Sequence, residues 1–107
     1  MRIRATAVAG ILIAATACRG PRPTVVSSRL RPAAGGESVV EAVVENTGGG
    51  EGHVLVEATL RSDSAVVERA EQEVALRAHE RVRVRMPVHV PADGSYRVEV
   101  TVRYPID

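Results

Sequence analysis

Apolar and polar residues alternate along most of the chain after residue 24. In the clearest run, residues 82–90, every second position is apolar: Val82, Val84, Met86, Val88 and Val90. Runs of the same kind cover residues 40–45, 54–61 and 96–104. Because a strand points successive side chains to opposite faces, each run predicts a strand with one buried and one solvated face. Four such runs predict an antiparallel β sandwich.

Glycine and proline clusters divide these runs. Residues 32–36 separate a candidate first strand, residues 25–30, from the second strand, and a glycine-rich loop at residues 46–52 precedes the third. The sequence Pro-Ala-Asp-Gly at residues 91–94 joins the last two runs and predicts that they form a hairpin. Pro87 has no amide hydrogen, so its strand is predicted to lie at a sheet edge or to be bulged there.

Residues 65–80 permit two interpretations. Apolar residues recur there with helical spacing, at Val66, Ala70 and Val74, and Ser64 could cap such a helix. Against the helix, residues 73–77 alternate between charged and apolar side chains. The alternation favours two short strands, and the helix remains the alternative.

The first 17 residues have the composition of an export signal. Arg2 and Arg4 are followed by an uncharged, mostly apolar stretch of 13 residues, 5–17. A transmembrane helix needs about 20 apolar residues, so this stretch is too short to span a bilayer comfortably. It has the length of a signal-peptide core, and small residues follow it where a signal peptidase cuts.

Residues 15–18, Ala-Thr-Ala-Cys, resemble the lipobox of bacterial lipoproteins, although a leucine is usual at position 15. The resemblance implies cleavage between Ala17 and Cys18 and attachment of diacylglycerol and a fatty acyl chain such as palmitate to Cys18. An ordinary secretory signal peptide and an uncleaved N-terminal anchor are the alternatives. We therefore expect a signal peptide at 1–17, a lipidated tether at 18–23 and a β-sandwich domain at 24–107. The mature protein would be exported and anchored to the bacterial membrane, facing the periplasm or the cell exterior.

Composition excludes several classes of function. The chain has 14 basic residues, all arginine, and 13 acidic ones, so its net charge of +1 does not indicate binding to nucleic acid or to an anionic membrane. Its only aromatic residues are two tyrosines, which argues further against nucleic-acid binding by base stacking. Cys18 is the only cysteine, so the chain forms no intramolecular disulfide.

We find no pattern of residues that predicts catalysis. The serines lack a nucleophile-elbow sequence, and the three histidines, His53, His79 and His89, lack metal-ligand spacing. The glycines at 48–50 lack the lysine that a phosphate-binding loop requires. We therefore predict a protein that is not an enzyme and has no cofactor and no metal.

One row of basic residues is a candidate interaction site. Arg81, Arg83 and Arg85 are predicted to share the outer face of one strand, where they could bind a polyanion such as a cell-surface polysaccharide. Cross-strand ion pairing, with Glu57, Glu99 and neighbouring acids as partners, is the more usual explanation for such a row.

Two motifs resemble those of a known group of domains. Residues 44–48, Val-Glu-Asn-Thr-Gly, are similar to the V-x-N-x-G that ends an early strand in CARDB and FxLYD-type domains. Residues 94–100, Gly-Ser-Tyr-Arg-Val-Glu-Val, resemble their closing G-x-Y-x-V-x-V strand. The resemblance covers residues 37–104 and implies an immunoglobulin-like sandwich of about six or seven strands, without catalytic residues. In that fold one more strand normally follows the tyrosine-bearing strand, so we expect a sandwich that lacks its last strand.

These features together predict a membrane-anchored envelope lipoprotein. Its domain would act as a non-catalytic protein-interaction or structural module, with the lipid anchor holding it to the membrane and another envelope protein as its partner. The alternative is a protein that binds a small ligand, a glycan or a protease through loops at the ends of the sandwich, at residues 48–50 or at Asp93.

Overall fold

The computed structural model describes residues 20–91 and 94–106. Ala17, Cys18 and Asp93, which carry three of the predictions above, lie outside these residues. In these described residues there are six strands and one short 3-10 turn, Ala34–Gly36. The strands are β1 (Pro23–Pro32), β2 (Ser38–Asn46), β3 (Gly52–Ser62), β4 (Ala65–Leu76), β5 (Arg81–Val88) and β6 (Arg97–Arg103).

The strands form two three-stranded antiparallel sheets, in the orders β1-β2-β5 and β4-β3-β6. Across the sandwich, β1 packs over β6 and β5 packs over β4. The prediction of a small, all-β antiparallel sandwich is therefore confirmed.

Valine fills most of the core between the two sheets. The fully buried side chains come mainly from the two central strands and β5, and they include Val40, Val44, Val54, Val56, Leu60, Leu76, Val84 and Met86. β-Branched side chains are stiff and pack well on a pleated surface, so a valine-rich core is compatible with strands although the chain has few aromatic rings.

The predicted hairpin between the last two runs is wrong. A turn is present, because the amide of Gly94 donates to the carbonyl of Pro91 at 3.2 Å, but it leads from one sheet to the other. β5 pairs with β2, and β6 pairs with β3. Because the chain crosses between the sheets, the apolar faces of β5 and β6 meet the core from opposite sides. A hairpin would place the two strands next to each other in one sheet.

Residues 65–80 form one long strand and a turn, so neither two short strands nor a helix is correct. β4 pairs with β3 along its whole length, with a bulge at Val67. The turn after it is closed by Glu80, whose carboxylate accepts a hydrogen bond from the amide of Arg77 at 2.8 Å. The eleven residues of β3 provide backbone partners along the whole of β4, and such tertiary pairing outweighs a helical spacing of apolar residues.

Pro87 lies in β5, which is an edge strand of its sheet, as its missing amide hydrogen predicts. Its register partner is Val39 of β2. The bulge that was the alternative does not occur, because the register between β2 and β5 is continuous.

Candidate functional site

The outer face of the β1-β2-β5 sheet carries five arginines, which we call the arginine face: Arg29, Arg31, Arg81, Arg83 and Arg85. The predicted row on β5 is confirmed as a row of exposed side chains. The structure adds two arginines from β1, which lies on the other side of β2. The Arg-x-Arg spacing at 29–31 is the sequence signal for these two residues, but only the strand order shows that they share a face with β5.

Glu41 lies at the centre of the arginine face and is 6% exposed. Its carboxylate is within 3.5 Å of Arg29, 3.4 Å of Arg31 and 3.3 Å of Arg85. Burial, the largest single influence, raises the pKa of Glu41, but the hydrogen bond from Arg31 and the three positive charges together lower the pKa below its usual range. The carboxylate therefore stays ionised and holds three guanidinium groups around it.

Cross-strand ion pairing occurs in this row, at Arg81 and Arg85, but the two partners predicted by name are wrong. Glu57 and Glu99 lie on the other sheet, where they pair with Arg103 at 3.8 Å and Arg61 at 3.2 Å. The acids on the arginine face are Glu41 and Glu45, and Glu45 pairs with Arg81 at 3.4 Å. Five arginines against two glutamates leave an excess of three positive charges on this face.

Arg83 differs from its neighbours in the row. Its register partner on β2 is Val43, and none of the carboxylates among residues 20–91 and 94–106 is within ion-pair distance of it. A depression of about 210 Å³ lies beside it, lined by Ser27, Ser28, Arg29, Glu41, Val43 and Arg83. The guanidinium of Arg83 is thus available to an external anion.

A second candidate surface is the outer edge of β6, which we call the open edge. Within the described part of the chain β6 pairs only with β3. Its inward-facing side chains, Val98, Val100 and Val102, are only half buried, whereas their register partners on β3 are fully buried. The open edge therefore presents a row of apolar side chains beside unpaired backbone groups.

Asn46 organises the glycine-rich end of the sandwich and is fully buried. Its side-chain oxygen accepts hydrogen bonds from the amides of Arg22 and Gly48, both at 2.9 Å. Its side-chain nitrogen donates to the carbonyls of Gly50 and Arg77, both at 2.8 Å. The asparagine of the V-x-N-x-G motif thus joins three chain segments, the start of the domain, the glycine-rich loop and the turn after β4, a role that sequence analysis alone did not assign.

The histidines lie apart from one another. His53 contacts Glu73 at 3.0 Å, and His89 contacts Glu37 at 3.0 Å. His79 occupies the turn before β5, with a positive φ of 62°. No group of three or more potential metal ligands occurs among residues 20–91 and 94–106. In the same residues no helix is long and apolar enough to cross a membrane.

No protein-family model matches the chain. No curated protein and no solved structure matches it either. The arginine face and the open edge are therefore the candidate binding surfaces in the described part of the chain.

Proposed function

We propose that the protein is a membrane-anchored envelope lipoprotein whose sandwich acts as a non-catalytic interaction module. In this proposal an extended segment of an envelope protein adds to the open edge. The observation that carries it is the row of half-buried valines along β6, next to backbone groups without a partner strand in the described residues. Strand addition satisfies such groups through main-chain hydrogen bonds and covers the apolar row with alternate side chains of the partner.

The other three sheet edges carry features that discourage pairing, and β6 does not. β4 places the polar side chains of Glu68 and Gln72 on its inward-facing side, at the register positions of Leu60 and Val56. β5 contains Pro87. β1 begins and ends with proline and has a bulge at Val26. Prolines, bulges and inward-pointing polar residues are the usual protection of edge strands. The regular, valine-lined β6 is therefore the edge that favours a partner.

The export signal supports the anchored location. Cleavage before Cys18 places a lipid-modified residue five positions before Pro23, the first residue of β1. A diacylglycerol group and an amide-linked acyl chain together exceed what stable membrane anchoring requires. Anchoring also confines the module to the surface on which its partner would be found.

Binding through the end loops has less support. The glycine-rich loop is occupied by internal contacts, because Asn46 binds both Gly48 and Gly50. A side chain at Gly48 would lie 2.8 Å from the carbonyl oxygen of Gly20, so the loop backbone is packed against the start of the domain. We therefore favour the open edge over the loops as the binding surface.

The proposal is tested by affinity purification of the tagged full chain from native membranes in mild detergent. We expect an intact mass that begins at Cys18 with acyl additions, and a partner in stoichiometric amount. Val100→Gln, on the inward side of β6, should lower recovery of the partner about tenfold, because a buried unpaired amide costs about 1–3 kcal/mol in the complex.

The matched control is Val74→Gln, which changes a half-buried valine on the inward side of β4. This variant should keep the partner, because β4 is not the binding edge. Thermal unfolding of both variants confirms that they are folded. Equal loss of the partner from both variants, or an unlipidated bait without a partner, contradicts the proposal.

A further inference from the structure

The fold separates charges that are balanced along the chain. Of the residues described, the arginine face holds five arginines and two glutamates, whereas the rest of the domain carries more acidic than basic residues. The outer face of the β4-β3-β6 sheet alternates in sign, with ion pairs such as Arg61–Glu99 and Arg103–Glu57. One face of a nearly neutral domain is thus positive.

The positive charges form a flat, two-dimensional array. Arginines at alternate positions of a strand lie about 7 Å apart, and β1 and β5 lie about 10 Å apart on either side of β2. The four arginines that pair with carboxylates keep about half or more of their side-chain surface exposed, from 49% for Arg31 to 64% for Arg29. The array therefore faces solvent although some of its charge is balanced by Glu41 and Glu45.

We propose that the arginine face docks on anionic phospholipid headgroups of the membrane that carries the lipid anchor. This inference rests on the proposed function for its anchor. Each arginine held near an anionic bilayer contributes about 1 kcal/mol. Contributions of this size would bind a domain only weakly if it came from free solution. A short lipidated tether makes the contact effectively intramolecular, so an excess of three positive charges is enough to favour the docked orientation.

The shape of the face favours a bilayer over other polyanions. The arginines occupy two strands on either side of β2 and cover an area rather than a groove. No aromatic side chain lies on the outer face of β1, β2 or β5 to stack on a base or a sugar ring. A planar array of headgroups matches this surface without such contacts.

Docking is tested with the lipidated full chain reconstituted in vesicles. Ser27→Cys places a fluorophore on the arginine face, and Thr101→Cys places one on the outer face of the opposite sheet; both positions are exposed. Acylation of Cys18 leaves the new cysteine as the only thiol. The vesicles contain equal parts of phosphatidylglycerol and phosphatidylcholine, or phosphatidylcholine alone, with a nitroxide on a fraction of the headgroups.

We expect strong headgroup quenching at position 27 and little at position 101 in vesicles with phosphatidylglycerol. The difference should disappear in phosphatidylcholine and at high salt, because the Debye length falls from about 10 Å at 0.1 M to about 3 Å at 1 M. Replacing Arg81, Arg83 and Arg85 with glutamine should lower the ratio of docked to undocked protein by roughly a hundredfold. Replacing Arg69, Arg97 and Arg103 removes the same charge from the other sheet and should have little effect.

Three results would overturn the docking: equal quenching at both positions, quenching at position 27 that persists in phosphatidylcholine, and quenching that the first triple variant retains. Binding of soluble polygalacturonate with the same arginine dependence, and without quenching on vesicles, would assign the face to an acidic glycan.

If the intact mass shows no acyl groups, the proposal of a lipid anchor fails separately. Cosedimentation of the unlabelled chain then decides whether the arginines bind phosphatidylglycerol vesicles on their own.

Discussion

Two buried polar side chains, Asn46 and Glu41, have different structural roles in this sandwich. Asn46 satisfies backbone groups that the valine core cannot satisfy, and Glu41 gathers guanidinium groups on an outer surface. A buried polar group is costly when it loses its partners, so both residues should be sensitive to substitution. The expected effects differ in their dependence on pH.

Asn46→Ala should lower the free energy of unfolding by about 2–4 kcal/mol, because it leaves buried amides and carbonyls without partners. Urea unfolding of the full chain measures the change. Thr47→Ala is the neighbouring control; it removes an exposed hydroxyl that donates to the carbonyl of Arg22 at 3.1 Å and should cost well under half as much. A loss in Asn46→Ala no larger than in the control would contradict the role given to Asn46.

Glu41→Gln should lower stability most at neutral pH. Because the folded-state pKa of Glu41 lies below its ordinary value of 4.5, the carboxylate stabilises the fold above that pH, and the stabilisation is lost as the pH falls through the lowered pKa. The gap in unfolding free energy between wild type and variant should therefore narrow on acidification. Glu71→Gln, on the exposed outer face of β4, is the control and should show little gap at neutral pH. A gap for Glu41→Gln that widens towards low pH would refute the argument.

The two central strands, β2 and β3, determine the fold, and the four edge strands determine which surfaces can bind a partner. β2 and β3 have neighbours on both sides, whereas β6 has one neighbour in the described residues. Alternate amides of β6 therefore point away from β3. This asymmetry gives the open edge an observable signature.

Amide hydrogen exchange of the full chain should show fast exchange at alternate residues of β6 and slow exchange throughout the middle of β3. In the purified complex, the fast amides of β6 should become protected because the partner strand accepts their hydrogen bonds. The outward amides of β4 are the internal control and should exchange at the same rate with and without the partner. Uniform slow exchange along β6 in the free monomer would show that this edge is not open.

The class of fold could be predicted from the sequence, but which strands pair with each other could not. Alternation in runs such as 82–90 reports which side of a strand is buried, and that is a local property. Whether β5 pairs with β6 or crosses to β2 depends on contacts between residues more than 40 positions apart, such as Val40 and Met86. The arginine face illustrates this limit, because Arg29 and Arg85 meet only through Glu41 on the strand between them.

At the scale of the whole molecule, the two candidate surfaces are compatible with each other. The arginine face lies on the outside of one sheet, and the open edge belongs to the other sheet. Docking through the arginines would leave the alternating charges of the β4-β3-β6 sheet facing away from the membrane and the edge of β6 accessible from the side. A partner anchored in the same membrane would reach that edge by lateral diffusion.

The attachment of Gly20–Arg22 to the sandwich has a mechanical consequence. Pro21 is buried, the amide of Arg22 donates to Asn46, and the carbonyl of Arg22 accepts from the amide of Thr47 at 3.0 Å. If Cys18 carries the lipid, only about 7 Å of extended chain separates it from this clamped segment. A force between membrane and partner would then act first on this segment and on the hydrogen bonds with Asn46 and Thr47 that hold it. The module would behave as a short, stiff connection, and Asn46→Ala would let the segment detach and lengthen the connection before the sheets unfold.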